Sequence, residues 1–335
     1  MKTLFNTVLR WVVKAALHLY FHKIRVEGKE NIPRHSSVII VANHQNALLD
    51  PLLIATHVPL SPHFMTRAAA FKNPIAAKLL NFIRMLPVYR IRDGFSTIPQ
   101  NQGTFEQTFQ VLRKKGSVLI FAEGNHSFVR GLRPLSKGFT RMAYGAMERF
   151  PEVKPIILPV GLDFSAHKKS GSTVRITIGK SIPVDVPSSE SVKLTKRVEE
   201  ALRSLIVSIP EEGYDQTLKK ILEAQVDLTS KKEVDHFLSG KDLPMKKTDS
   251  RPYLVNKMMK IFHFPLYWVW LGILAPQIED EVFTSTWKFL IGFILVIPFY
   301  LMLMWLSFFP LLGLWAWSWL ILSLLTVLWN KNPQE

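Results

Sequence analysis

The chain has 335 residues, a formal net charge of +16 and no cysteine. That length suffices for one or two domains with a sizeable core, and an apolar content of 48% excludes a disordered chain. Without cysteine there is no disulfide, no thiolate nucleophile and no cysteine-based zinc or iron–sulfur centre. The excess of positive charge requires an anionic partner: nucleic acid, anionic lipid or an acidic substrate.

In residues 1–24, Lys2, Asn6, Arg10, Lys14, His18 and His22 recur every four residues. On a helix each such step drifts by only about 40°, so these side chains form one slanted polar stripe. Leu4, Phe5, Val8, Leu9, Val12, Val13, Ala16, Leu17 and Leu19 occupy the remaining surface. Lys14 interrupts the apolar run and no small-residue cleavage site follows, which disfavours a cleaved signal peptide. The pattern predicts a basic amphipathic helix at a membrane surface, and packing of the same helix on a globular domain is compatible with it.

Residues 25–185 alternate strand-like and helix-like segments. Ser37–Ala42, Leu86–Ile91, Ser117–Phe121, Ile156–Val160 and Val174–Ile178 read as strands. Pro51–Thr56, Pro74–Phe82, Thr104–Lys115 and Lys137–Phe150 read as helices. This order predicts an α/β domain with a mostly parallel sheet flanked by helices, and ligands at the carboxyl ends of its strands.

Four segments following or ending strands carry candidate chemistry. Asn43-His44 follows the first apolar strand, and Asp50 precedes Pro51. His44 and Asp50 do not share a face of a regular helix; they meet only if His44 lies in a loop and Asp50 opens the next helix. A carboxylate on one imidazole nitrogen then leaves the other as a general base. Taken alone, Asp50 before Pro51 is also an ordinary helix start. In the second segment Arg90 and Arg92 are placed to flank one phosphate. The third, Phe121 to Ser127 with Arg130 and Arg133 beyond it, offers Glu123 to substrate hydroxyls or a basic side chain, and Gly124 for close backbone approach. The fourth, Leu158-Pro159-Val160-Gly161, is an apolar strand end.

Residues 186–255 are charged and poor in strand patterning, a helical connector with helices near Ser191–Ser208 and Tyr214–Val226. Residues 256–330 read as two or three transmembrane helices. Phe289 to Asn330 carries no charge over 42 residues, the length of roughly two bilayer crossings, with Pro310-Leu-Leu-Gly313 a turn between them. Ile261–Ile278 is borderline for a third span or a re-entrant segment. Eight of the nine tryptophans lie at or beyond Trp268, as an interfacial belt requires. Lys246, Lys247, Arg251, Lys257 and Lys260 before the first apolar segment, and Glu279, Asp280 and Glu281 after it, place residues 1–255 on the cytoplasmic side. Nucleic acid is thereby excluded as the partner, and anionic headgroups and a phosphorylated substrate explain the charge.

Taken together, the four segments resemble the glycerolipid acyltransferase family that includes 1-acylglycerol-3-phosphate acyltransferases. Asn43-His44 with Asp50 matches its first block with one extra intervening residue, as in fungal glycerol-3-phosphate and dihydroxyacetone-phosphate acyltransferases. Leu86-Pro87-Val88-Tyr89-Arg90 matches the second; Phe121, Glu123, Gly124 and Ser127 the third; Leu158-Pro159-Val160 the fourth. Two departures stand out. Asn125-His126 occupies the place of Thr-Arg, so the arginine often linked to phosphate is missing and Arg130 or Arg133 is its candidate replacement. Arg84 stands where glycine is usual.

The resemblance implies a membrane-bound enzyme whose His44 and Asp50 are catalytic. Asn43, Arg90, Glu123, Gly124, Ser127 and Arg130 are its substrate-binding residues, with backbone N–H groups after residue 43 holding the oxyanion. It implies an acyl-CoA or acyl carrier protein donor, membrane lipids as partners, and no metal or other cofactor. The leading acceptor is 1-acylglycerol-3-phosphate. Glycerol-3-phosphate, another lysophospholipid or a lyso-aminolipid are the alternatives within this chemistry, and a catalytically silent membrane scaffold is the alternative outside it.

Overall fold

The computed structural model describes residues 2–89, 99–241 and 251–330. Helix α1 (Lys2–Tyr20) leads into β1 (Lys23–Glu27), β2 (Ser37–Ala42), α2 (Leu49–His57), β3 (His63–Arg67), α3 (Pro74–Phe82) and β4 (Met85–Val88). Then come α4 (Asn101–Arg113), β5 (Ser117–Ile120), α5 (Gly138–Arg149), β6 (Pro155–Phe164), β7 (Thr173–Ile178) and β8 (Ile182–Pro183). The remainder is helical: α6 (Ser191–Leu205), α7 (Tyr214–Glu223), α8 (Lys231–Leu238), α9 (Arg251–Phe262), α10 (Phe264–Val269), α11 (Thr284–Leu306) and α12 (Gly313–Leu328).

The strands form one mixed, mostly parallel sheet in the order β1-β7-β6-β2-β5-β3-β4, with β8 beside β6. β7 and β8 pair antiparallel with β6, and β1 pairs parallel with β7, so these three strands run opposite to the other five. β2 is buried along its whole length between β5 and β6, which is why it reads as an unbroken apolar run. One core packs Leu17, Val38, Ile40, Leu53 and Phe164 on one face of the sheet. The other packs Ile39, Val41, Leu112, Phe139 and Val198. Consecutive β2 residues thus alternate between the two layers.

Three strands are absent from the sequence reading: β1, β3 and the two-residue β8. β1 alternates with charged residues and its burial is only partial. β3 has five half-exposed or exposed residues flanked by histidine and arginine. Both lack the apolar continuity that marks β2. Arg84 adopts φ 67°, a conformation that glycine reaches at no cost and other residues do not. The bend is the reason glycine suits this place, and here the Arg84 guanidinium holds it by donating to the Ser61 carbonyl at 2.8 Å.

Helix α1 is inverted relative to a surface helix of a water-soluble protein. Its polar stripe faces the domain: Asn6 donates to Phe82 O at 3.2 Å, and Arg10 to Val58 O and Leu60 O at 2.7 and 3.3 Å. Val13 and Leu17 are buried in the core, whereas Leu4, Val8 and Trp11 are exposed at 70%, 53% and 66%. Where α1 meets α2, His18 Nε2 and His57 Nε2 lie 3.3 Å apart. Burial first, with repulsion from His18, Lys14 and Arg10, pushes His57 down from 6.5 to about 4. Between those values the unfolded chain holds more protons than the folded one, so stability is complete above the upper value and declines as pH falls toward the lower. Thermal unfolding from about pH 7 to about pH 5 is expected to show a falling Tm, and His57→Gln to reduce the slope. An unchanged slope in the variant contradicts this account.

Two or three C-terminal spans were expected, and the described helices supply one candidate, or two if the bent pair ending at Gln277 is one span. α11 is the one described helix that is long and apolar enough to cross a membrane, and it contains Pro298. α12 has 16 residues, about 24 Å at ~1.5 Å per residue, short of a bilayer core of roughly 30 Å. The Ile261–Ile278 stretch belongs to two helical pieces that meet at 88°, and it contains a π-helical turn at Trp270–Leu274.

Candidate active site

β2 and β5 are parallel neighbours, with Val41 opposite Ile120, so the loops leaving their carboxyl ends lie side by side. His44 is in the first loop and Asp50 is the second residue of α2. Their side chains meet at 2.7 Å through His44 Nδ1 and Asp50 Oδ2. Asp50 is fully buried, and the same oxygen accepts from the Gln45 and Asn46 amides at 2.8 and 2.7 Å. The amino end of α2 adds a favourable field for its charge. The His44 ring stacks on Phe121 with centroids 4.0 Å apart, and its side chain keeps 16% exposure. One ring nitrogen is thus fixed, and the other is left for a ligand at the strand ends.

Asn43 is fully buried. Its side-chain amide donates to Leu162 O at 2.9 Å and accepts from Leu162 N at 2.8 Å. It therefore continues the β2–β6 pairing one residue beyond the strand, which places it in the framework and not against a ligand. The expected oxyanion donors after residue 43 differ likewise, because Gln45 N and Asn46 N both serve Asp50.

Glu123 follows β5, nearly fully buried, and forms an ion pair with Arg133. Burial raises the Glu123 carboxyl above its usual range, opposed by Arg133. Of the two partners the sequence left open for Glu123, the basic side chain is the one present. Gly124 turns the chain at φ 74°, with its amide on Phe121 O at 3.1 Å. Ser127 ties the two loops together, its amide on His44 O at 3.1 Å, while its hydroxyl accepts from Val129 N at 3.2 Å.

Arg133 also reaches Asn125 Oδ1, Asn125 O at 2.6 Å and His44 O at 3.3 Å. Among the described residues it is the arginine brought to the site. Arg130 is elsewhere: fully buried, donating from Nη1 to Phe164 O at 2.5 Å, beside the buried carboxyl of Asp163. Burial pushes that carboxyl up to about 7, with a Val207 amide bond and nearby cations opposing. The backbone of Arg130 is held by the Tyr214 hydroxyl and by the Ile209 amide, so this residue welds the loop to the helical connector. Arg130→Ala is expected to destabilise the fold by about 1–3 kcal/mol, the cost of leaving the buried Phe164 carbonyl without its donor. A denaturation midpoint equal to that of the parent contradicts the assignment. Arg90 and Arg92 lie outside the described residues.

A polar layer behind Asp50 was not legible in the sequence. His167 is buried and meets Gln45 Oε1 at 3.1 Å, and its carbonyl accepts from Asn46 Nδ2 at 3.0 Å and from the Ser285 hydroxyl. The Leu48 amide donates to Thr286 Oγ1 at 3.3 Å. Partners more than a hundred residues apart leave no local pattern. On the other side His126 faces Asp280 at 3.4 Å and sits edge-on to His44 at 5.6 Å. Burial lowers the His126 pKa, followed by repulsion from His44 and opposed by Asp280. Among the described residues no three His, Asp or Glu side chains converge as a metal site.

A buried carboxylate–histidine pair at the carboxyl end of the central strand of an α/β sheet, with an arginine–glutamate pair beside it, defines a site for proton transfer on an anionic substrate. The chain matches the acyltransferase family model over residues 23–163. It is 27% identical over 215 residues to a 1-acyl-sn-glycerol-3-phosphate acyltransferase of Borreliella burgdorferi, covering 64% of this chain and 78% of that one. It is 32% identical over 124 residues to glycerol-3-phosphate O-acyltransferase 2 of Saccharomyces cerevisiae, 34% of this chain but only 16% of the yeast protein. A crystal structure of the 1-acyl-sn-glycerophosphate acyltransferase of Thermotoga maritima aligns with a TM-score of 0.47 at 22% identity, over 61% of this chain and 78% of that one.

Proposed function

We propose that this chain is an acyltransferase that moves a fatty acyl group from a thioester of coenzyme A or acyl carrier protein to the hydroxyl of a lysoglycerolipid, with 1-acylglycerol-3-phosphate the leading acceptor and phosphatidic acid its product. The observation that carries the reading is the 2.7 Å contact between His44 Nδ1 and the buried Asp50. With Nδ1–H donated to Asp50, Nε2 is the basic nitrogen. It takes the proton of the acceptor hydroxyl as that oxygen attacks the thioester carbonyl. The carbon–sulfur bond then breaks and the proton passes to the departing thiolate, which regenerates neutral His44. Asp50 stabilises the transient imidazolium. Arg133, held by Glu123 and Asn125, is the described cation nearest to this chemistry and is assigned to the acceptor phosphate, the role the sequence divided between Arg130 and Arg133.

A cavity of about 380 Å³ between α1 and α2, lined by Leu9, Val13, Leu52, Phe64 and Met85, suits an acyl chain. It reaches Leu48 and Pro51, the neighbours of Asp50. The exposed apolar face of α1 and the apolar α11 support attachment to a membrane as an integral protein. The lysines around Lys257, Lys260 and Lys288 support a cytoplasmic site facing anionic headgroups. The names of the two relatives favour lysophosphatidate and glycerol-3-phosphate as acceptors, and the former needs the apolar surface described.

The test is transfer from a labelled acyl thioester to glycerol-3-phosphate, lysophosphatidate, lysophosphatidylethanolamine and a lyso-aminolipid, each presented to membranes holding the protein. Product with lysophosphatidate alone is expected. Product only with a phosphate-free acceptor would reassign Arg133 and the Asn125-His126 segment to a different headgroup. No product with any acceptor and either carrier would move the reading to a membrane scaffold.

A further inference from the structure

We propose that the C-terminal helices enter the bilayer from the side of the α/β domain and return without crossing it, so that the turn between α11 and α12 stays in hydrocarbon. This rests on the membrane-bound reading above and specifies how the chain is held. The first turns of α11 belong to the domain. Ser285 bonds His167 O, Thr286 accepts from Leu48 N, and Phe289 is in the main core against Tyr20. What extends beyond is Ile294–Leu306, about 20 Å of helix at ~1.5 Å per residue. Its partner α12 supplies about 24 Å, against a hydrocarbon thickness of roughly 30 Å.

The turn itself has the chemistry of a buried one. Ser307-Phe-Phe-Pro-Leu-Leu312 carries no charge, and Leu311 and Phe308 are 98% and 79% exposed. The amides of Ser307, Phe308, Phe309, Leu312 and Gly313 bond to carbonyls within the hairpin at 2.8–3.2 Å, and the Ser307 hydroxyl bonds Met304 O at 2.6 Å. Pro310 has no amide hydrogen. A turn in water is normally polar, whereas in hydrocarbon each unmet donor costs several kcal/mol.

The preceding segment behaves alike. Beyond the 88° bend, Asp280 and Glu281 are already back at the domain, paired with His126 and with Lys168 at 3.4 and 2.5 Å. The bend is held from within the helix group, by Trp319 donating to Phe262 O at 2.8 Å and by His263 with the Tyr300 hydroxyl at 2.9 Å. The hairpin ends where it began: Asn330 donates to Ser170 at 3.3 Å, and Lys288 to Lys168 O at 2.7 Å.

Because the chain has no cysteine, single-cysteine variants test this directly. Leu311→Cys and, as a marker of the domain side, Lys169→Cys are expressed as full chains in sealed membrane vesicles of each orientation and exposed to a membrane-impermeant maleimide. The expected result is labelling of Lys169→Cys from one face only, and of Leu311→Cys from neither face until detergent is added. Labelling of Leu311→Cys from the face opposite the marker would mean a crossing hairpin, and from the same face a hairpin outside the bilayer; either overturns the proposal. Leu311→Arg is a second readout. Its carbonate-resistant fraction is expected to fall, since an arginine is costly in hydrocarbon, and an unchanged fraction again overturns the proposal. Release of the parent chain itself by carbonate would contradict the membrane-bound reading as a whole.

Discussion

His44→Ala is expected to lower acyl transfer by about 10²–10⁴-fold, the range associated with loss of a positioned general base, while leaving the protein folded. The imidazole is part-exposed, and its ring contacts are the stack on Phe121 and the edge of His126. Removing it therefore opens a small space at the surface end of the core, not within it. The loss should fall on kcat, with donor and acceptor saturation little changed, because no binding group is removed. Transfer at the parent rate would show that His44 is not the base.

Asp50→Asn is expected to have an effect of comparable order on kcat, by a different route. The amide is nearly isosteric, so its oxygen can still accept from Gln45 N and Asn46 N, the bonds that shape the 45–48 turn. The charge that stabilises an imidazolium is gone. Stability should fall by no more than about 1 kcal/mol, the scale of an anion at a helix amino end. Asp50→Ala differs, because it strands two buried amides at about 1–3 kcal/mol each. Its activity loss would therefore come with a lower Tm. Equal activity of Asp50→Asn and parent, with folding intact, contradicts the proposed role.

The parts of the site that share one stretch of chain were legible in the sequence. Ser37–Ala42 is buried at every position, and apolar from Val38 on, because β2 has neighbours on both edges and helices on both faces, and its end marks the place of His44. Asp50 before Pro51 marks the start of α2, and the six-residue separation then closes by the geometry of a loop entering a helix. The functional meaning of single polar residues was less legible. Asn43 reads as a ligand contact until its amide is seen pairing with Leu162. Arg130 and Arg133, three positions apart on one irregular segment, went to opposite places: one to the Phe164 carbonyl inside the fold, the other to Glu123 at the site. No periodicity distinguishes them, because the segment has none.

At the C-terminus the uncharged length of sequence was plain, but its use was not. Composition cannot tell that the first turns of α11 are taken up by the domain through Ser285, Thr286 and Phe289. Nor can it tell that Asp280 returns to His126 after the bend in the preceding helices. Hydropathy measures the material available for crossing, whereas packing decides how much is left to cross with. Similarly, the polar stripe of α1 was visible by its spacing. That it faces the protein through Asn6 and Arg10, with Leu4 and Trp11 facing outward, follows from what α2 and the end of α3 offer it.

The central claim is that this chain makes an ester on a lysoglycerolipid hydroxyl at the expense of a thioester. The most direct measurement follows free thiol and acylated product together, using purified protein in lipid vesicles with an acyl-CoA and lysophosphatidate. The account predicts thiol release that depends on lysophosphatidate, with an equal amount of phosphatidate formed and neither process seen with His44→Ala. Thiol release that ignores the acceptor, or phosphatidate formation undiminished in His44→Ala, would contradict it.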